Sequence, residues 1–64
     1  MINAIVVTRV KRDTEIKQLV PIKNLVEVTD REEGGSWCKY WNGEGERSMV
    51  IIESPQEVAD LCNK

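Results

Sequence analysis

The chain has 64 residues, 41% hydrophobic and 31% charged, with a formal net charge of −2 and no histidine. That length fits one small domain spanning residues 1–64, and the acidic balance excludes a generic electrostatic binder of nucleic acid or anionic membrane, which draws its affinity from excess Lys and Arg. With only Cys38 and Cys62 as soft ligands, the four Cys or His of a structural zinc site cannot be assembled, and neither metal nor cofactor is expected.

The opening Met1-Ile2-Asn3-Ala4-Ile5-Val6-Val7-Thr8-Arg9 has neither the basic start nor the long apolar stretch of a signal peptide. No apolar run approaches membrane-span length, and there is no Asn-x-Ser/Thr sequon. The expectation is a cytoplasmic protein whose two thiols stay reduced, although a Cys38–Cys62 disulfide is arithmetically possible. Fourteen β-branched apolar residues (six Ile, eight Val) against three Leu favour strands over helices.

A first strand spans Ile2 to Lys11. Ile2, Ala4, Val6, Thr8 and Val10 fall on one face, with Ile5, Val7, Arg9 and Lys11 on the other. Lys11-Arg12-Asp13-Thr14 supplies a polar turn. A second strand runs from Glu15 to Val20 and stops before Pro21, which removes a ladder donor. Pro21 to Leu25 reads as a short 3₁₀ or turn-like corner with Ile22 and Leu25 turned inward. A third strand, Leu25 to Asp30, alternates cleanly and leads into the Arg31-Glu32-Glu33-Gly34-Gly35 loop. Ser36 to Trp41 is the fourth strand, and Asn42-Gly43 is a strong hairpin dipeptide, with Glu44-Gly45-Glu46 implying a loop longer than two residues. The fifth strand, Arg47 to Glu53, carries the run Met49-Val50-Ile51-Ile52, whose apolar character on both faces places it at the centre of a sheet, or under a helix on one side and a partner on the other. Ser54-Pro55-Gln56-Glu57 then forms a capping box with proline at the first helical position. The helix extends to about Asn63, with Val58, Leu61 and Cys62 on one stripe.

Signals for chemistry are weak. Without His, a Ser or Cys nucleophile has no motif that brings it a base. Glu32-Glu33 and Glu44/Glu46 sit in loops, where solvated charge is the ordinary role. Asp30-Arg31-Glu32-Glu33-Gly34 lacks the ligand periodicity and closing Glu of a calcium loop. Gly43-Glu44-Gly45-Glu46 lacks the further glycines and helix start of a phosphate cradle. No catalytic residue is assigned, and an enzyme is not expected.

Trp37-Lys39-Trp41 is the one feature that points to binding. Alternation puts the two rings and the cation on one face, where they could stack bases or another flat ligand, with Arg9, Lys11 or Arg47 adding charge. The competing reading fills the core, or covers the sheet under the helix or a partner subunit, with one or both rings, and leaves Tyr40 and Cys38 nearer solvent or a second interface. The acidic total favours this second reading.

Ile5-Val6-Val7-Thr8-Arg9, then Ile22 and Val26-Glu27-Val28, then Asn42-Gly43, then Val50-Ile51-Ile52-Glu53-Ser54 leading into Glu57-Val58, resembles the small FlbD/SwrD-type flagellar and swarming motility proteins. The likeness covers most of the chain in order. It departs in the first turn, which lacks Asn-Gly, and in the longer loops at Arg31–Gly35 and Glu44–Glu46. The resemblance implies a short cytoplasmic bacterial protein with this strand order and a final helix; a phage or mobile-element accessory protein on the same fold fits equally.

The expected architecture is α+β: a bent, mostly antiparallel sheet of four to five strands with one C-terminal helix. One helix cannot cover both faces of such a sheet, and its open edges invite pairing, so self-association into a homo-oligomer is expected. The expected function is a non-enzymatic interaction module that binds a protein partner through a sheet edge or the Trp face. The alternative is a nucleic-acid or nucleotide binder using Trp37, Lys39 and Trp41 with Arg9, Lys11 or Arg47.

Overall fold

The computed structural model describes residues 2–64; Met1, part of the opening segment discussed above, lies outside the described residues. Over these residues the chain forms strands β1 (Ala4–Lys11) and β2 (Thr14–Pro21), a 3₁₀ turn (Ile22–Asn24), strands β3 (Leu25–Asp30), β4 (Ser36–Trp41) and β5 (Glu46–Ile51), and helix α1 (Pro55–Cys62). The strands make one antiparallel sheet in the order β2-β1-β5-β4-β3, which leaves β2 and β3 as edges. The expected α+β class holds, and β5, with its doubly apolar run, sits in the middle.

Each connection has a local cause. β1 and β2 are joined by the two-residue turn Arg12-Asp13, with Lys11 opposite Thr14. Such turns require positive φ at their first central residue, and Arg12 adopts φ 58° without being glycine. β4 and β5 are joined by the longer loop expected from Glu44-Gly45-Glu46. There the Asn42 side-chain oxygen accepts from the amides of Glu44 and Gly45 at 2.9 and 3.0 Å, while Gly43 takes φ 98°. Gly35, at φ 71°, passes so close to the Ile51 carbonyl that a β-carbon would collide with it. The 3₁₀ corner is held by the Ile22 amide donating to the Asn3 carbonyl at 2.9 Å.

The helix start is the capping box read from the sequence. Ser54 Oγ accepts from the Glu57 amide, the Glu57 carboxylate accepts from the Ser54 amide, both at 3.1 Å, and Pro55 opens the helix. Helix α1 packs against β1 and β3 and contributes Val58 to the core, with Leu61 and Cys62 half-buried beside it. The core itself is thin: Ile5, Val7, Val20, Cys38, Met49, Ile51 and Val58. Cys38 and Cys62 are free thiols.

The structure decides which faces of two strands turn inward. In β1 the buried apolar pair is Ile5 and Val7, while Val6 on the other face is 51% exposed. In β4 the sequence reading that turned the Trp rings inward and Cys38 and Tyr40 outward is reversed. Register explains both. Cys38 is paired with Met49 and Val28, and Ser36 with Ile51, so the small side chains of β4 share a face with the apolar side chains of β5. Two indoles on that face would hold a short helix away from the sheet; Ser36 and Cys38, both fully buried, let it approach.

The central seam is short. β1 meets β5 through only Arg9–Ile51 and Val10–Val50. Beyond Ile51 the seam continues through one backbone bond and then through side chains. The Ile52 amide donates to the Thr8 carbonyl at 3.0 Å, and the Glu53 carboxylate accepts from both the Thr8 amide (2.8 Å) and the Thr8 hydroxyl (2.9 Å). Lys17 Nζ donates to Thr8 Oγ1 at 2.7 Å, and Ser36 Oγ donates to the Glu53 carbonyl at 2.7 Å. This latch joins β2, β1, β4 and the approach to the helix.

Candidate functional site

The face of the sheet away from the core is the candidate site. Paired residues in a ladder point to the same side, so the register assigns this face directly. It carries Glu15, Lys17 and Leu19 from β2, Val6, Thr8 and Val10 from β1, and Glu46, Ser48 and Val50 from β5. From β4 and β3 come Trp37, Lys39 and Trp41 with Glu27 and Thr29. Val10, Val50 and Trp37 lie side by side in one row across three adjacent strands. Trp37 is 49% exposed and Trp41 46% exposed.

Two of the cations around the rings are already partnered. The Arg31 guanidinium stands over the Trp37 ring, 5.3 Å from its centroid, and is held there by Glu33 (2.9 Å) and the Gly34 carbonyl (3.2 Å). This cation–π contact came from the loop before β4 and carried no spacing signal in the sequence. Lys39 lies 3.9 Å from the Glu27 carboxylate on the neighbouring strand. Trp41 is opposite Glu46.

The structure brings together Trp37, Lys39 and Trp41 but places Arg9, Lys11 and Arg47 on the opposite side of the sheet. Arg9 shares its face with Ile16 and Ile51, Lys11 with Thr14, and Arg47 with Tyr40. The Arg9 guanidinium donates to the Gln18 side chain at 3.2 Å. The face with the rings therefore offers Lys17, Lys39 and Arg31 as cations, each already engaged, among Glu15, Glu27, Glu46 and Glu53.

Nothing else on the described surface assembles reactive groups. Burial pushes the Cys38 thiol up from its ordinary value, which keeps it protonated and unreactive. Burial alone would raise the Glu53 carboxyl. The Thr8 amide, its own amide, the Thr8 hydroxyl and the positive charge of Lys17 together outweigh that and hold it low. The Thr8 hydroxyl, donating to one group and accepting from another, is committed to structure. Among the described residues no group of His, Cys, Asp and Glu is arranged to hold a metal ion, and no helix is long and apolar enough to cross a membrane. An open depression of about 690 Å³ lies beside the 3₁₀ corner, lined by Ile2, Asn3, Ala4, Pro21, Ile22 and Lys23.

No family model, curated protein or solved structure matches this chain.

Proposed function

We propose that this protein is a non-enzymatic interaction module that self-associates and binds a protein partner through the Trp37–Lys39–Trp41 face. The observation that carries the reading is the pair of half-exposed indoles on the sheet face opposite the buried core. Aromatic side chains flanked by satisfied polar groups are what protein interfaces use as anchors. Binding of nucleic acid through the same rings is disfavoured by charge. Phosphate contacts need free cations, whereas Arg31 and Lys39, the cations beside the rings, are ion-paired and the acids of the face outnumber its cations. Resemblance to the motility proteins supports the architecture and contributes no functional residue to this reading.

A photoactivatable cross-linking residue at Ser48, which is exposed between Lys39 and the centre of the face, tests the site in an extract of the source cells. The expected result is capture of a specific polypeptide that is lost when Trp41→Ser is added and is absent when the cross-linker sits at Arg47 on the opposite face. Capture of nucleic acid from Ser48, or the same products from both positions, overturns the reading.

A further inference from the structure

The two edges of the sheet are not equivalent. β3 is six residues long, carries a register shift between Leu25 and Glu27, and has helix α1 packed against it; bulges and covering elements are what natural edges use against pairing. β2 is eight residues long and pairs with β1 without any irregularity. Its Ile16 is 45% exposed and its Leu19 64% exposed.

The direction of the free backbone groups on β2 follows from the hairpin. A two-residue turn closes with a hydrogen-bonded pair, Lys11 and Thr14, and the pairs then alternate. Ile16 and Gln18 therefore spend their backbone groups on β1, while Glu15, Lys17 and Leu19 point theirs outward. Thr8 provides an independent check. It lies opposite Lys17, and its own amide and carbonyl turn away from β2, to Glu53 and Ile52, as a non-hydrogen-bonded partner must.

We infer that β2 pairs with β2 of a second copy of this chain, antiparallel and centred on Ile16, to give one continuous sheet. This deepens the self-association part of the proposed function and rests on it. The register is chosen by charge. Centring on Ile16 sets Glu15 against the second copy's Lys17, and Lys17 against its Glu15, with both backbone bonds exchanged in each pair and the two Ile16 side chains in contact across the axis. Centring on Glu15 or on Lys17 places like charges face to face. Centring on Gln18 sets Lys17 against Leu19 and leaves both charges unmatched. Lys17 has three donors, so its bond to Thr8 leaves room for a carboxylate. An antiparallel pair of this kind is related by an axis perpendicular to the sheet. Both Trp37–Trp41 faces then lie on the same side of the dimer, a bivalent surface for one partner.

Sedimentation velocity on the full chain, with denaturation midpoints as the check on folding, tests the inference. The wild type is expected to dimerise and Glu15→Lys to weaken the dimer about tenfold or more. Combined with Lys17→Glu, the same substitution is expected to recover it. Ile16→Cys is expected to form a disulfide-linked dimer on mild oxidation, since facing residues of a non-hydrogen-bonded pair lie within disulfide reach; this variant does not touch the Thr8 latch. A wild type that stays monomeric overturns self-association and the pairing with it. A dimer that is indifferent to Glu15→Lys and cross-links through Val26→Cys on β3 rather than Ile16→Cys overturns the β2 pairing and leaves self-association standing.

Discussion

Glu53 stands where the backbone ladder between β1 and β5 runs out, and its carboxylate takes over the Thr8 amide that a longer strand would have satisfied. Its folded pKa lies below its ordinary value. The stability it contributes is therefore full above the carboxylate range of the unfolded chain and is lost as pH falls through the folded value. Glu53→Gln is expected to cost about 1–3 kcal/mol at neutral pH and to flatten the acid side of the stability profile, read from urea midpoints across pH. Arg12 is the second residue under local stress, because φ 58° is a left-handed conformation that disfavours side chains. Arg12→Gly is expected to stabilise the domain by about 1 kcal/mol. A lower thermal midpoint for that variant would show that the Arg12 side chain contributes more than its backbone strain costs. Neither feature was legible in the sequence: Lys11-Arg12-Asp13-Thr14 announced a turn but not which residue would carry positive φ. Thr8 and Glu53 are 45 positions apart in the chain.

The elements themselves were legible because period and punctuation agreed. Alternation in Leu25–Asp30, the proline after Val20 and the capping box at Ser54 are signals within a few residues, and the structure places a strand, a strand end and a helix start there. Ser54→Ala is expected to cost about 1 kcal/mol, measured by denaturant midpoint; an unchanged midpoint would mean that the short helix is held by Val58 and Leu61 alone. Which face of β4 turns inward was not legible. Trp37, Lys39 and Trp41 alternate with Cys38 and Tyr40 whichever side is buried, and size argued for burying the rings. The decision is made across the sheet, where Met49 and Ile51 of β5 share the face of Ser36 and Cys38 and an eight-residue helix can close only over small side chains. The same parity separated Arg9, Lys11 and Arg47 from the rings.

For the whole molecule, a sheet with one helix leaves one face covered and the other open, and the largest exposed aromatic side chains sit on the open one. A 64-residue chain has little apolar surface to spare, so two indoles left half in water are the strongest departure from what folding alone would select. The strand order and the final helix position that face without saying what lies against it. The claim that the rings are surface and not core is tested most directly by equilibrium denaturation of the double variant Trp37→Ser, Trp41→Ser. A cooperative transition is expected, with a loss of about 1 kcal/mol per ring, in keeping with half-burial. A loss of about 3–5 kcal/mol for either ring, or a variant that no longer folds, would place the indoles in the core and remove the binding face from the account.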